Sequence, residues 1–432
     1  MQKTTLPTNL SVVRWPGLAP RLLGDSGIDY PTYLHSGGYQ RLDDSDALVE
    51  MVSRSGLLGR GGAAFPLAVK IRTVRDNGQR AGGAVLVANG EEGEPASIKD
   101  RWLLRHRPHL ILDGLRLAAR MVGADRAYLY ASDELAASSI ERALSQLDEQ
   151  SLDGVAVSVF RVQPGYVAGE ETAAVRAING GPAKPTDKPP RPFEQGVDDY
   201  PTLVSNVETL GNLPYLLRQG PNDFRAAGTS ASPGTFLVTL TGGARPPSLY
   251  EVPFGLNLTD LIEKFGVSSD RVRGLLMGGY FCGLLNRCAL DATLDHETLR
   301  RLGSGIGCGA IAILTKECPV AVGASVLAYF ARENADQCGS CFNGTAAMSA
   351  VTSALRDGRA TQEDLGRLER WSVVLRGRGA CGTLDGACNV AASLLSQYPE
   401  LVKHHLNNDC GACRTVAYEA VRPFEVEALV TS

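Results

Sequence analysis

Three stretches of this sequence carry residue types and spacings that could do chemistry. The first is Gly59-Arg60-Gly61-Gly62-Ala63-Ala64-Phe65-Pro66, followed by Lys70. Three glycines in four residues let a backbone bend tightly and leave its N–H groups uncovered, as a phosphate or a flat cofactor requires. Arg60 and Lys70 place positive charge at both ends of the loop, which feeds the start of a predicted helix over 67–75, a ready anion site. The second is Asn89-Gly90-Glu91-Glu92-Gly93-Glu94-Pro95, an acidic turn delivered by a strand-like run over 84–88. Strand ends of this kind hold ligands in α/β folds. The third is a set of cysteines: Cys338-Gly-Ser-Cys341, Cys381, Cys388 and Cys410-Gly-Ala-Cys413. Two Cys-x-x-Cys pairs with single cysteines suit a tetrahedral thiolate site, and composition leaves zinc and an iron–sulfur cluster both open. Cys388 reads as a small buried apolar residue on a helix face, and Cys282, Cys288, Cys308 and Cys318 as core or loop thiols. No Ser/His/Asp or Cys/His arrangement is evident, and the six histidines, His404-His405 among them, receive no role. No catalytic acid, base or nucleophile is expected.

The elements that must position these stretches follow from pattern. At 432 residues the chain has room for two to four domains and a sizeable core. Its 44% hydrophobic and 21% charged content is that of a soluble protein, and a net charge of −4 gives no footprint for nucleic acid or an anionic membrane. No apolar run approaches spanning length, and residues 1–20 lack a signal peptide's apolar block, so the expectation is a cytoplasmic protein without membrane insertion. In that compartment the ten cysteines are ligands or buried thiols, not a disulfide framework.

The first forty residues read as an irregular lead-in, and Asp43-Asp44-Ser45-Asp46 as the cap of a helix over 47–55 ended by Gly56. Strands over 85–88, 127–130 and 155–162 alternate with helices over 108–121 and 134–147, an order that predicts a layered α/β domain. The stretch 180–192, rich in proline and carrying Lys184, Lys188 and Arg191, reads as a flap-like loop. Strands over 235–240 and 249–252 with a helix over 258–265 predict a small β-rich domain. After Pro319 helical patterns over 320–332, 345–356, 363–374 and 387–396 follow without strands, predicting a terminal bundle in which Cys338–Cys341 ends a helix. The expected units are 1–230, 231–317 and 318–432.

Taken in order, Gly-Arg-Gly-Gly-Ala-x-Phe-Pro, Asn-x-x-Glu-x-Glu-Pro, Gly169-Glu170-Glu171-Thr172, Asn206-Val207-Glu208-Thr209-Leu210 and Cys-Gly-x-Cys resemble the flavoprotein (F) subunit family of NADH-quinone oxidoreductase, complex I. The resemblance runs from about residue 56 to the C-terminus. It implies a Rossmann-like FMN-binding domain, a soluble-ligand-binding β-grasp domain and a helical bundle holding a [4Fe–4S] cluster. It implies FMN on Gly59, Arg60, Gly61, Gly62 and Lys70, with Asn89 and Glu91 at the ribityl chain or ring edge. Tyr166, Gly169 and Glu170 would line the isoalloxazine, and Ser205, Asn206 and Thr209 would approach the phosphate. Phe65, Glu92, Glu94, Glu171, Lys188 and Arg191 would form the NADH site. Carboxylates suit ribose hydroxyls and repel an extra 2′-phosphate, which favours NADH.

The chain departs from the family pattern at three points. Thr73 and Arg191 stand where relatives carry aromatics, which leaves NADPH open as well as NADH. Gly344 stands at the third cysteine of the cluster motif. Cys338, Cys341 and Cys381 match three ligands; Cys410 is chosen as the fourth, with Cys413 and Cys388 as alternatives. The implied function is hydride transfer from NADH to FMN, then single electrons through the cluster to a ferredoxin or other small iron–sulfur protein. Two other readings are a flavin and cluster relay without NADH oxidation, and a non-catalytic zinc or ligand-binding scaffold.

Overall fold

The computed structural model describes residues 10–24, 29–148, 150–408 and 410–427. Strands β1 (Ser11–Arg14), β2 (Ala84–Asn89), β3 (Ala124–Ala131), β4 (Ala156–Arg161) and β5 (Thr202–Asn206) come first along the chain. They are followed by β6 (Thr235–Gly242), β7 (Ser248–Pro253), β8 (Gly274–Met277), β9 (Leu284–Asn286) and β10 (Ala310–Leu314). β2 to β5 form one all-parallel sheet in the order β4-β3-β2-β5. Its central strand, Ala-Val-Leu-Val-Ala-Asn, is apolar almost throughout because both faces are covered. Leu86 and Ala88 face a core shared with the helices Leu67–Ala81 and Pro108–Val122, while Val85 and Val87 face Ala174, Val175 and Ala177 of the helix Glu171–Ile178. That alternation is the two-residue period of a strand.

The second sheet, mixed in direction, has the order β1-β7-β6-β10-β8-β9, with the helix Leu258–Phe265 over its apolar face. Its first strand lies in the stretch read as an irregular lead-in. Ser11–Arg14 pairs parallel with β7 in a register that sets Ser11 opposite Ser248. A single four-residue edge strand more than two hundred residues from its partner leaves no local pattern to read.

Helices Pro319–Glu333, Gly339–Arg356, Gln362–Val374 and Thr383–Gln397 pack on one another around Val326, Phe330, Met348, Leu368 and Val390, and Pro399–Asn407 and Gly411–Val416 follow. The Cys338–Cys341 pair opens the second of these helices, where the sequence pattern predicts an ending: Cys338 is its N-cap residue. Among the described residues no helix is long and apolar enough to cross a membrane.

The two sheets are joined at the carboxyl edge of the parallel one. Glu208 accepts from the Leu237 N–H at 2.9 Å, Thr239 Oγ1 accepts from the Ile98 N–H at 3.3 Å, and the Arg60 guanidinium reaches the Thr235 carbonyl at 3.2 Å.

Candidate active site

In the order β4-β3-β2-β5 the chain moves outward from β2 to β4 and then returns to the other side of β2. The crevice outside an open α/β sheet opens at such a reversal. Here it lies between the ends of β2 and β5, where Asn89 and Asn206 sit opposite each other in register. Asn89 donates to the Gly169 carbonyl at 2.7 Å and accepts from the Glu91 N–H at 3.2 Å, which shapes the acidic turn. Asn206 caps the helix Val207–Gly211 by accepting from the Glu208 N–H at 3.0 Å and donates to Asp100 Oδ2 at 2.7 Å.

The glycine loop closes over this edge. Leu58 and Pro66 form an isolated β-bridge, the Gly59 N–H donates to the Phe65 carbonyl at 2.9 Å, and the Arg60 N–H donates to Thr209 Oγ1 at 2.8 Å. Gly61 and Gly62 are exposed, and among the described residues no acceptor takes their N–H groups. A Cβ on Gly61 would stand 3.3 Å from Asn206 Cβ, so this turn keeps a cradle that a side chain would fill. Phe65 presents 52% of its surface at the loop's end. The donor set and the space fit a flavin phosphate or ring edge.

Of the residues expected here, Lys70, Glu170, Glu171 and Lys188 form a half-buried fringe. Lys70 pairs with Glu171 at 3.0 Å, and Lys188 with Glu170 at 2.6 Å. Burial pushes the Glu171 carboxyl up, but Lys70, Lys188 and Arg191 outweigh it and hold the group below its ordinary value. Others turn inward. The Arg60 side chain leaves the loop and lies over the Phe254 ring at 4.6 Å, and its burial lowers it to about 10. Glu92 is consumed by Ser97 Oγ at 2.5 Å and by the Arg101 N–H and Nε at 3.1 and 3.3 Å. Tyr166 packs edge-on against Tyr329 and Phe330. Thr73, in the place of an aromatic, only bonds back to the Val69 carbonyl within its own helix.

Glu94 accepts from the Tyr280 N–H at 2.9 Å and the Ala96 N–H at 3.3 Å, and burial raises it to about 8 against these bonds. The unfolded chain releases this proton near 4.5 and the native chain near 8, so between those values the native state binds the extra proton. Its contribution to stability is therefore complete below the lower value and is lost as pH rises through the upper one. Glu94→Gln is expected to flatten that part of the pH dependence. Thermal melts of both proteins at about pH 5 and about pH 8 check it, and parallel dependences would show Glu94 ionised throughout.

Beneath the crevice lies a charged network that pattern did not single out. Lys99, 1% exposed, pairs with Asp100 at 2.8 Å and Glu208 at 2.9 Å and donates to Asn206 Oδ1 at 3.3 Å. Its only trace in the sequence is Lys99-Asp100-Arg101, a charge run that ordinarily marks a solvated helix start.

Three thiols gather at the start of the helix Gly339–Arg356. Cys341 is 6% exposed, the Ala380 N–H donates to Cys338 Sγ at 3.4 Å, and Cys381 Sγ lies 3.3 Å from Thr383 Oγ1. Burial, then Cys381 and Cys338, pushes the Cys341 thiol up to about 12. Two helices, Gly339–Arg356 and Thr383–Gln397, begin here, and helix N-termini favour the negative charge of a cluster and its thiolates. The donor set fits iron–sulfur chemistry. At Gly344 a Cβ would come 2.8 Å from Leu375 and 3.3 Å from Leu384, so leucines fill the place of a further side chain. Cys388 is fully buried with its thiol 3.7 Å from the Trp371 carbonyl, as a core residue.

Cys410, the expected fourth ligand, is elsewhere. Its sulfur stands with Cys318, His405 and Cys413 within 4.8 Å, and His405 bonds the Leu355 carbonyl at 3.1 Å. Leu355 is fourteen residues beyond Cys341 on one helix, about 21 Å along its axis. Cys410 is therefore at the opposite end of that helix from the three thiols. Cys318, read as a core thiol, and His405, given no role, belong to this second group.

A glycine loop and an acidic turn at a sheet's reversal point, with a thiol cluster in an adjoining helical region, define a flavin and iron–sulfur oxidoreductase. The family described as the Nuo51 FMN-binding domain matches residues 52–215, and that described as the NADH-ubiquinone oxidoreductase-F iron-sulfur binding region matches residues 321–405. The NADH-quinone oxidoreductase F subunit 2 of Rhizobium meliloti (strain 1021) is 32% identical over 403 residues, covering 88% of this chain and 95% of that protein. The F subunit of Aquifex aeolicus (strain VF5) is 28% identical, covering 85% and 89%. A crystal structure of an NAD+-reducing [NiFe]-hydrogenase in the H2-reduced state superimposes with a TM-score of 0.78 at 31% identity, covering 84% of this chain and 63% of that one. The chain thus spans under two thirds of the hydrogenase chain it matches. It belongs to the family of NADH-quinone oxidoreductase F subunits, oxidoreductases of the NADH dehydrogenase type, and its cofactors are FMN and a [4Fe–4S] cluster.

Proposed function

We propose that this chain oxidises NADH in the crevice between β2 and β5 and delivers electrons, through a cluster on Cys338, Cys341 and Cys381, to a separate small iron–sulfur protein such as a ferredoxin, in the cytoplasm. The observation that carries the reading is the exposed Gly61–Gly62 turn, with Gly61 set against Asn206, at the reversal point of the sheet where Asn206 pairs with Asn89. FMN, when bound, supplies the conversion of a two-electron hydride donor to single electrons. The protein's part is to hold and to exclude. Gly61 and Gly62 donate to the cofactor, Lys70 and Lys188 balance its charge beside Glu170 and Glu171, and Phe65 offers a ring face to the nucleotide. Glu94, kept protonated near neutrality by burial, has a hydrogen to donate where an ionised carboxylate would only accept. In the same reading the units are 1–230 for flavin and NADH, 231–317 as a soluble-ligand-binding β-grasp module, and 318–432 as the cluster bundle.

Two observations favour a second reading, a relay without NADH oxidation: Glu92 is spent on Arg101 and Ser97, and Thr73 offers no ring. The visible spectrum separates the two. Purified protein is expected to show flavin peaks over a broad cluster band that bleach on adding NADH. Retained colour with both NADH and NADPH would establish the relay, and a colourless zinc protein the scaffold. Arg191 is exposed beside Glu194 and its charge reaches Glu171. Arg191→Phe is expected to raise the preference for NADH over NADPH, read as a ratio of kcat/KM; an unchanged ratio removes Arg191 from nucleotide choice.

A further inference from the structure

The redox reading makes no use of the group at the far end of the helix Gly339–Arg356. There Cys318, His405, Cys410 and Cys413 bring three sulfurs and an imidazole nitrogen within 4.8 Å of one another. Each comes from an ordered position. Cys318 is the N-cap of Pro319–Glu333, His405 lies in the last turn of Pro399–Asn407, and Cys410 caps Gly411–Val416 with Cys413 one turn on. Cys318 is 3% exposed and His405 fully buried, and none of the three cysteines sits in a disulfide. His405 Nδ1 lies 3.1 Å from the Leu355 carbonyl, which can only accept, so this nitrogen carries the proton. Nε2 is left with its lone pair toward Cys318 Sγ at 3.4 Å. A carbonyl that fixes the tautomer of a ligating imidazole in this way is the usual outer support of a metal site. The Cys413 N–H points at Cys410 Sγ at 3.4 Å, a contact that favours a thiolate.

We propose that these four side chains hold a single zinc ion, a structural site separate from the flavin and the iron–sulfur cluster. Tetrahedral Zn–S bonds of about 2.3 Å place ligand sulfurs about 3.8 Å apart. The observed convergence is of that scale, whereas a cube of four irons and four sulfides spreads its thiolates more widely. Three sulfurs and one nitrogen fill all four positions from protein, which is the closed pattern of structural zinc, with none left for substrate. The match to the iron–sulfur binding region spans 321–405 and leaves Cys318, Cys410 and Cys413 outside it.

The ion would join three segments: the exit from β10, the end of the helical region and the C-terminal stretch. That stretch then crosses to the acidic turn. The Tyr280 hydroxyl donates to the Pro423 carbonyl, the Val426 N–H donates to the Pro95 carbonyl at 3.0 Å, and Glu427 pairs with Arg101 at 3.1 Å. Zinc thus fixes one end of a strap whose other end braces the wall of the crevice.

The test uses the full chain with its cofactors. Elemental analysis is expected to find about one zinc per chain beyond the cluster's iron, held through gel filtration. Cys410→Ser and Cys413→Ser are each expected to lose that zinc while iron, flavin and the reduced cluster's EPR signal stay as in the parent. Because either variant can fail to fold, the parent protein is also stripped by mild chelation and titrated with cobalt(II). Red-region bands of a tetrahedral cobalt thiolate, saturating at about one ion per chain, are expected, together with faster proteolysis of the C-terminal stretch in the stripped form. Parent protein without zinc and without a saturable cobalt signal overturns the site. So does a folded Cys410→Ser protein that loses cluster iron and keeps its zinc.

Discussion

Gly61→Val is expected to yield a folded protein without flavin and without NADH oxidation. The new Cβ would lie 3.3 Å from Asn206 Cβ, and two γ-methyls would extend into the crevice. Asn206 cannot give way: its amide donates to Asp100 at 2.7 Å, and its oxygen accepts from the Glu208 N–H at 3.0 Å and from Lys99 at 3.3 Å. Crowding of this kind costs about 1–3 kcal/mol, which a domain of this size survives. The loss falls on the cofactor, whose place the side chain takes. Flavin per chain should drop from about one to near zero while the thermal midpoint moves by only a few degrees. Normal flavin content in the variant would remove the loop from the FMN site.

Lys99→Met carries the second large effect. Methionine keeps the length of the side chain and removes the charge, leaving Asp100 and Glu208 buried without their cation. Burial already holds the Asp100 carboxyl above the usual range with Lys99 beside it. Removing one partner of a buried pair costs about 3–5 kcal/mol. The midpoint should fall on the order of 10 °C. Flavin should bind more weakly as well, since Asn206 is held by the same network. Lys99→Met combined with Asp100→Asn is expected to recover part of the loss, because the two sites are coupled. An unchanged melt in the single variant would mean that the network contributes nothing measurable.

Local pattern proved a good guide wherever one segment settles its own structure. Helix boundaries in the C-terminal region were legible to within a few residues at most ends, because apolar periodicity there reports a face that must be buried. Gly56 ends the helix Ser45–Ser55 in the left-handed conformation its sequence suggests, with Asp44 as the cap. The glycine loop and the acidic turn were legible as irregular connections ahead of a helix and after a strand, because glycines and clustered charges end regular elements. Side-chain direction was not. Arg60 and Glu92 have the chemistry of a binding site, yet their partners Phe254, Thr235, Arg101 and Ser97 are met only after folding.

The sequence by itself determined the alternation of strands and helices, the ordered motifs that place the chain in its family, and the absence of a third motif cysteine at Gly344. These are properties of composition and short spacing, set by backbone preference and by the period of apolar residues. Only the tertiary structure decided that Ser11–Arg14 completes a sheet beside β7, that Lys99 is buried, and that Cys410 stands with Cys318 and His405 and apart from Cys341. Each of those depends on contacts between segments far apart in the chain; Cys318 and His405 are 87 residues apart. A cysteine's partners are set by which helix ends meet, and helix ends meet through packed faces whose pairing no single stretch encodes.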